Sequence, residues 1–228
     1  MQDSPPFQRK RLRRWLPLVA AALLVSRTVH AQDLIEQRHC TGEWRATVEE
    51  RIASCTALID SDRYQGVNLA ILHDNRGMAL RAKGDLAGAL KDFTEAIGLD
   101  PGSARAFVNH GSVLFAQRDF DGAIADFDQA IKLDPTDAAT YVRRGSAYGE
   151  KADFDRAVEN YDEAIRLVPN YAAAFFGRAL AHRRIGKFDL AIADYDQAIK
   201  LDPKDAAAFN DRGIAWFEAG EFDRAIAD

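Results

Sequence analysis

Residues 101–135 read PGSARAFVNHGSVLFAQRDFDGAIADFDQAIKLDP, a stretch bounded by Pro101 and Pro135 and filled with small and aromatic residues at helical spacings. Pro169 and Pro203 continue the series at the same interval of 34 residues. The small residues Gly77, Gly111, Gly145, Ala179 and Gly213 share that period, as do Ala89, Ala123, Ala157, Ala191 and Ala225. Phe93, Phe127, Tyr161 and Tyr195 fall four residues after the alanines, and Ala96, Ala130, Ala164 and Ala198 three residues later again. Steps of three and four keep side chains on one helix face, so each unit reads as two helices packed closely through small residues.

Short polar breaks separate the two helices: Lys83-Gly84-Asp85, Gln117-Arg118-Asp119, Lys151-Ala152-Asp153, Gly186-Lys187 and Gly220-Glu221. They suit a tight helix-to-helix turn. The proline then stops the second helix, because it lacks a backbone donor and pushes the residue before it away from helical angles.

Phe107, Gly111, Ala123, Phe127 and Pro135 stand where tetratricopeptide repeat proteins have their aromatic, glycine, alanine, aromatic and proline. Residues 70–228 resemble that family over four repeats, 70–103, 104–137, 138–171 and 172–205, with a partial fifth at 206–228. The resemblance implies an all-α fold, a right-handed superhelical solenoid of helical hairpins behind an N-terminal capping helix. One position departs from the family: where it usually has leucine before the glycine, this chain has Arg76, His110, Arg144, Arg178 and Arg212. Asp92, Asn160, Asp194 and Asp228 follow the arginines by sixteen residues, which predicts an internal ladder across each hairpin. The other reading of these arginines is ligand binding.

The N-terminus differs in kind. Arg9-Lys10-Arg11, Arg13 and Arg14 precede an apolar stretch, Trp15 to Val25, and then Val29-His30-Ala31, the order of a cleaved export signal over residues 1–31. Eleven apolar residues fall short of the roughly 20 that span a bilayer, so the expectation is a periplasmic or secreted protein with no stable membrane insertion after cleavage. An uncleaved signal tethering the chain to the inner membrane is the alternative. Removing six basic residues and one acidic residue takes the formal charge from −5 to −10. An acidic surface disfavours nucleic acid as a partner.

Cys40 and Cys55 are the only cysteines, in a capping segment assigned to residues 32–69. Thr47 and Glu50 have capping-box spacing and place the start of a helix carrying Ile52, Leu58 and Ile59 on its apolar face. A continuous helix would hold the cysteines about 22 Å apart, whereas a turn at Thr41-Gly42 lets them meet. In an oxidising compartment a disulfide that fastens the cap is expected over two buried thiols. Exported bacterial repeat proteins resemble this segment, including its second cysteine followed by Thr and a short apolar run.

No catalytic constellation is evident, so the chain is expected not to be an enzyme. His39 beside Cys40 lacks a second pair with zinc-site spacing, so neither metal nor cofactor is expected. Asp126 with Asp128, and Asp194 with Glu163, read as a solvated acidic face.

Function is then expected from the first helices, which line the concave groove in the family. The peptide-binding set implied there is Asn75, Arg105, Asn109, Ser112, Phe115, Arg143, Ser146, Phe176, Arg183 and Arg184. Asp74, Met78, Glu150, Leu180, Asn210, Asp211 and Phe217 share the face. Amide, guanidinium and aromatic groups together can grip an extended protein or peptide ligand. Asn109 and Arg143 match two of the five positions of the family's clamp for a C-terminal carboxylate, while Asp74, Met78 and Ala139 occupy the rest and Asp74 would repel the anion. The expected function is a scaffold for protein–protein interaction, with an accessory subunit of an envelope enzyme or a self-assembling structural protein as alternatives. Asp228 falls early in the fifth second helix, which leaves the face of Ile214, Trp216 and Phe217 to be covered by self-association or by further repeats.

Overall fold

The computed structural model describes residues 34–42 and 45–228. The segment read as an export signal and the cleavage point at Gln32 lie outside the described residues. Helix α1 (34–41) and helix α2 (Val48–Ile59) form the cap. Five hairpins follow: α3 (Gly66–Lys83) with α4 (Leu86–Leu99), α5 (Ala104–Ala116) with α6 (Phe120–Leu133), α7 (Ala138–Glu150) with α8 (Phe154–Leu167), α9 (Ala172–Arg184) with α10 (Phe188–Leu201), and α11 (Ala206–Glu218) with α12 (Phe222–Ala227). No strand occurs among the described residues. The fold is the expected all-α solenoid.

Local chemistry sets the helix ends. Asp85, Asp119 and Asp153 cap the second helices, each accepting a hydrogen bond from the backbone three residues on. Ser103, Asp137 and Asp205 cap first helices by accepting from the backbone two or three residues on, and α5, α7 and α11 begin at Ala104, Ala138 and Ala206. The first boundary differs, because α3 starts at Gly66, inside the segment assigned to the cap. The polar breaks owe their geometry to one left-handed residue per repeat: Gly84, Arg118, Ala152, Gly186 and Gly220 all have positive φ. A backbone bond from the next residue back to Leu80, Leu114, Tyr148, His182 or Trp216 closes each helix end. Before each proline, Asp100, Asp134, Val168 and Asp202 leave the helical region as expected.

Within each hairpin the glycine admits an aromatic ring. A methyl group placed on Gly77 would lie 2.7 Å from Phe93 Cε1, one on Gly111 3.0 Å from Phe127 Cε1, and one on Gly145 3.0 Å from Tyr161 Cε1. Ala89, Phe93, Ala123, Phe127, Ala157, Tyr161, Ala191 and Tyr195 are all buried, which makes the periodic set the core. Successive first helices touch one another, α3 with α5, α5 with α7, α7 with α9 and α9 with α11, whereas the second helices make no such contact among the described residues. The stack therefore curls toward its first helices, and their outer face is concave.

The cap is a helical pair, where one helix was expected. Thr47 and Glu50 form the capping box in both directions, at 3.2 and 2.8 Å. Gly42, with φ 77°, turns the chain after α1, and Cys40 and Cys55 meet with their sulfurs 2.11 Å apart. Both cysteines are buried beside Leu58 and Leu72.

The arginine ladder is present and extends further than the sixteen-residue rule predicts. Arg76 holds Asp92 with two bonds of 2.7 Å, Arg144 donates to Asn160 at 2.7 Å, and Arg178 holds Asp194 at 2.9 and 2.6 Å. Arg212 grips Asp228 likewise. A second arm reaches sixteen residues backward, to the preceding repeat: Arg144 to Asp128 at 2.5 Å, Arg178 to Asp162 at 2.5 Å and Arg212 to Asp196 at 2.6 Å. His110 takes the same place between Asp126 at 2.6 Å and Thr94 at 3.4 Å. Each of the last three guanidiniums also lies over the ring three residues before it, Tyr141, Phe175 or Phe209. This corrects the acidic-face reading: Asp126, Asp128 and Asp194 are rungs between helices, and Asp194 is buried. Glu163 pairs separately with Arg166 on the surface.

The end of the chain divides the apolar face that was read as one. Trp216 packs against the core cluster of Ala191, Ile192 and Tyr195, with Arg224 over its ring. Ile214 and Phe217 instead line an open cavity of about 830 Å³ with Phe222 and Ile226.

Arg178→Ala should lower the unfolding free energy by about 2–4 kcal/mol, because it leaves the buried Asp194 carboxylate with His182, at 3.0 Å, in place of a two-bonded guanidinium and unlinks two repeats. Arg166→Ala, which removes an exposed pair within one helix turn, should cost under about 0.5 kcal/mol. Urea denaturation of both variants checks the contrast, and equal losses would make the ladder ornamental.

Candidate functional site

Two cavities open on the concave face. The first, about 280 Å³, is lined by Ser112 and Phe115 of α5, Phe127 of α6, and Val142, Arg143 and Ser146 of α7. The second, about 220 Å³, lies one repeat on, with Ser146, Glu150, Tyr161, Gly177, Leu180 and Arg184 among its walls. Ser146 is common to both, so they adjoin across a shared wall. Each first helix supplies a wall because its outer side chains meet those of the next first helix over the gap left by the hairpin. Ser112 and Ser146 return their hydroxyls to the carbonyls of Val108 and Val142, at 2.6 and 3.0 Å, which leaves the oxygen lone pairs toward the cavity walls. Ser146 Oγ also shares a hydrogen bond of 3.1 Å with the Tyr161 hydroxyl. Burial pushes that phenol up from its ordinary value, the Ser146 bond working against the shift, and keeps it neutral. Arg143 and Arg184 are exposed and form no ion pair among the described residues.

The sequence of these hairpins matches the tetratricopeptide repeat model over residues 75–138, 142–195 and 178–228. The chain belongs to the tetratricopeptide repeat family. Among solved structures, a crystal structure of MamA is similar at 27% identity and a TM-score of 0.62, covering 66% of this chain and 88% of that one. A tetratricopeptide repeat protein from Parabacteroides merdae aligns with a TM-score of 0.70 at 20% identity, over 79% of this chain and 70% of that one. YrrB, described as a TPR protein with an unusual peptide-binding site, aligns at 21% identity and a TM-score of 0.62, over 76% of this chain and 87% of that one. The last two show the fold alone. No curated protein matches the sequence significantly.

Of the groove residues this tetratricopeptide repeat chain was expected to offer, Ser112, Phe115, Arg143 and Ser146 come together in the first cavity, and Ser146 and Arg184 line the second. The others are engaged by partners or packing within the solenoid. Asn109 donates its amide to Asp74 at 2.8 Å across the junction of the first two repeats, and Arg105 stands 2.9 Å from the other Asp74 oxygen. Asn75 is buried in α3. Phe176 packs edge-on against Tyr195, with centroids 5.8 Å apart. Arg183 reaches Glu218 at 3.2 Å. The carboxylate clamp is therefore not assembled: Asn109 already holds an internal carboxylate, and Arg143 faces a different cavity.

Two of these internal bonds obey one rule. Asp74 with Asn109, and Arg183 with Glu218, are 35 residues apart, the offset that lines up adjoining first helices. Complementary residues at that offset were a readable signal. The cavity floors, Phe127 and Tyr161, escaped the sequence reading because their period marks them as core, which they also are.

Burial raises the Asp74 carboxyl above the usual carboxylate range, and the Asn109 bond and Arg105 draw it back only in part. An acid with a raised folded pKa is favoured protonated in the fold, so its ionisation works against stability as pH rises through that value. Asn109→Ala should consequently lose more stability near about pH 7 than near about pH 4, as read from urea midpoints. An equal loss at both would mean that Asn109 does not serve the ionised carboxylate.

Proposed function

We propose that the chain is an exported, non-enzymatic scaffold that holds a peptide or protein segment along its concave face, with the two adjoining cavities as the seat. Family membership makes it a repeat scaffold for protein–protein interaction. The observation that carries the finer reading is the convergence of Ser112, Phe115, Arg143 and Ser146 on one cavity that shares its Ser146 wall with a second. Apolar walls, hydroxyl acceptors and unpaired guanidiniums within one trough are what an extended backbone with side chains requires. The basic, apolar and small-residue order of residues 1–31 supports export, as does the Cys40–Cys55 bond, which an oxidising compartment preserves. Among the described residues no helix is long and apolar enough to cross a membrane.

A pool of randomised nonapeptides titrated into isotope-labelled protein should move the amide signals of residues lining the two cavities. Ser146→Trp, which fills the shared wall, should abolish those shifts while leaving the helical circular dichroism unchanged. Shifts confined to the second helices, or indifferent to the substitution, would remove the groove from consideration.

Export is checked separately by intact mass. The mature product is expected to begin at Gln32 with Cys40 and Cys55 bonded. A product that keeps Met1 and two alkylatable thiols would sink the export reading.

A further inference from the structure

The two cavities are the same place in successive repeats. Ser112 and Ser146, Phe115 and Gly149, Phe127 and Tyr161, Arg143 and Gly177, and Ser146 and Leu180 are each 34 residues apart. Their separation is thus one step of the first-helix stack, about 8–10 Å for packed helices. An extended chain covers that distance in about three residues at roughly 3.3 Å each. Both volumes, about 280 and 220 Å³, fall below the roughly 300–1,000 Å³ of pockets that enclose a whole small molecule, and they suit one side chain apiece.

Their chemistry differs in charge. The first cavity has Phe115, Phe127 and Val142 as apolar walls and one charged group, Arg143, whose guanidinium has no carboxylate partner among the described residues. At the second, Gly149 and Gly177 replace the phenylalanine and the arginine, and the lining holds both Arg184 and Glu150, the latter 3.9 Å from Arg118. Phe154, Ala157, Leu180 and Ala181 keep its interior apolar. The lining of the first cavity thus carries a guanidinium and no carboxylate, whereas that of the second carries one of each.

Resting on the groove reading above, we infer that the site selects an extended acidic peptide. One apolar side chain fills the first cavity, a carboxylate next to it meets Arg143, and a second apolar side chain about three residues on fills the second. The guanidinium donates two parallel N–H bonds to such a carboxylate, a charge-assisted pair that neither a lysine nor an amide of the peptide reproduces.

Fluorescein-labelled peptide pools test this by anisotropy at about 0.1 M salt, where distant charges are screened. Every pool carries two fixed leucines among Gly, Ser and Ala positions, in both chain directions. The pool with leucines three apart and Asp beside one of them should bind at least about tenfold tighter than pools with Lys for Asp, or with the leucines two or five apart. Arg143→Glu should reverse the preference for Asp over Lys and keep the preference for spacing, and Arg143→Gln should erase the charge preference alone. Circular dichroism verifies that these surface variants fold. Pools that bind equally well whatever their charge and spacing overturn the inference and leave the groove reading standing. If no leucine pool binds while the randomised nonapeptides still shift the groove amides, the inference falls by itself. If neither binds, both fall.

Discussion

The fold depends on one close approach, the aromatic ring of α4, α6, α8 and α10 seated over a glycine or alanine of the helix before it. Phe93 lies on Gly77, sixteen residues earlier, and that register also sets Arg76 against Asp92. The two contacts are neighbours in one helix–helix interface, so neither adjusts without the other. A side chain at Gly77 would separate the helices and draw the Arg76 fork off its carboxylate at the same time. This coupling explains how arginine is accommodated where the family usually has leucine: its aliphatic stem covers the apolar seam while the head reaches a fixed acceptor.

The ladder also accounts for how the repeats hold their relative positions. Hydrophobic contacts between neighbouring hairpins are non-directional, whereas a guanidinium bonded at once to its own second helix and to the preceding one fixes an angle between them. Asp92 and Asp74 show how much the partner matters. Both are buried on adjoining elements, and burial is the largest influence on each. At Asp92 the bonds from Arg76 and His73 outweigh it and hold the carboxyl below its usual range, so its contribution to stability is present above the unfolded value and fades as acid protonates it. At Asp74 one amide and a half-exposed arginine do not outweigh it, and ionisation there opposes folding. The inner junction of the first two repeats thus carries a strained charge in the place where the outer ladder carries a satisfied one.

The hairpins were legible because their signal is repeated: Ala89, Phe93 and Ala96 mean little once and a great deal four times over. The sixteen-residue pairing was legible for the same reason. The backward arm to Asp128, Asp162 and Asp196 was not, because a carboxylate on a helix surface looks solvated until the next repeat is laid against it. Cys40 and Cys55 were legible as a pair, but α1 was not, since it falls outside the periodic array and carries no capping signal of its own in the reading. The groove was the least legible part. A family's face tells which residues point toward the concave side, and Asn109, Phe176 and Arg183 do belong to it, but it does not tell which of them already have partners.

That distinction follows from the offset between adjoining first helices. A polar groove residue is consumed when the residue 35 positions away complements it, as with Asp74 and Asn109 or Arg183 and Glu218. For Arg143 those positions hold Val108 and Arg178, and Arg178 is itself committed to Asp162 and Asp194. For Arg184 they hold Gly149 and Ala219. Neither arginine meets an acceptor of the solenoid's own, and each stands beside a cavity whose apolar walls are also uncovered. Charge and apolar surface left open at one place, on a face where Asp74 with Asn109 and Arg183 with Glu218 are matched internally, are the grounds on which the proposed seat rests.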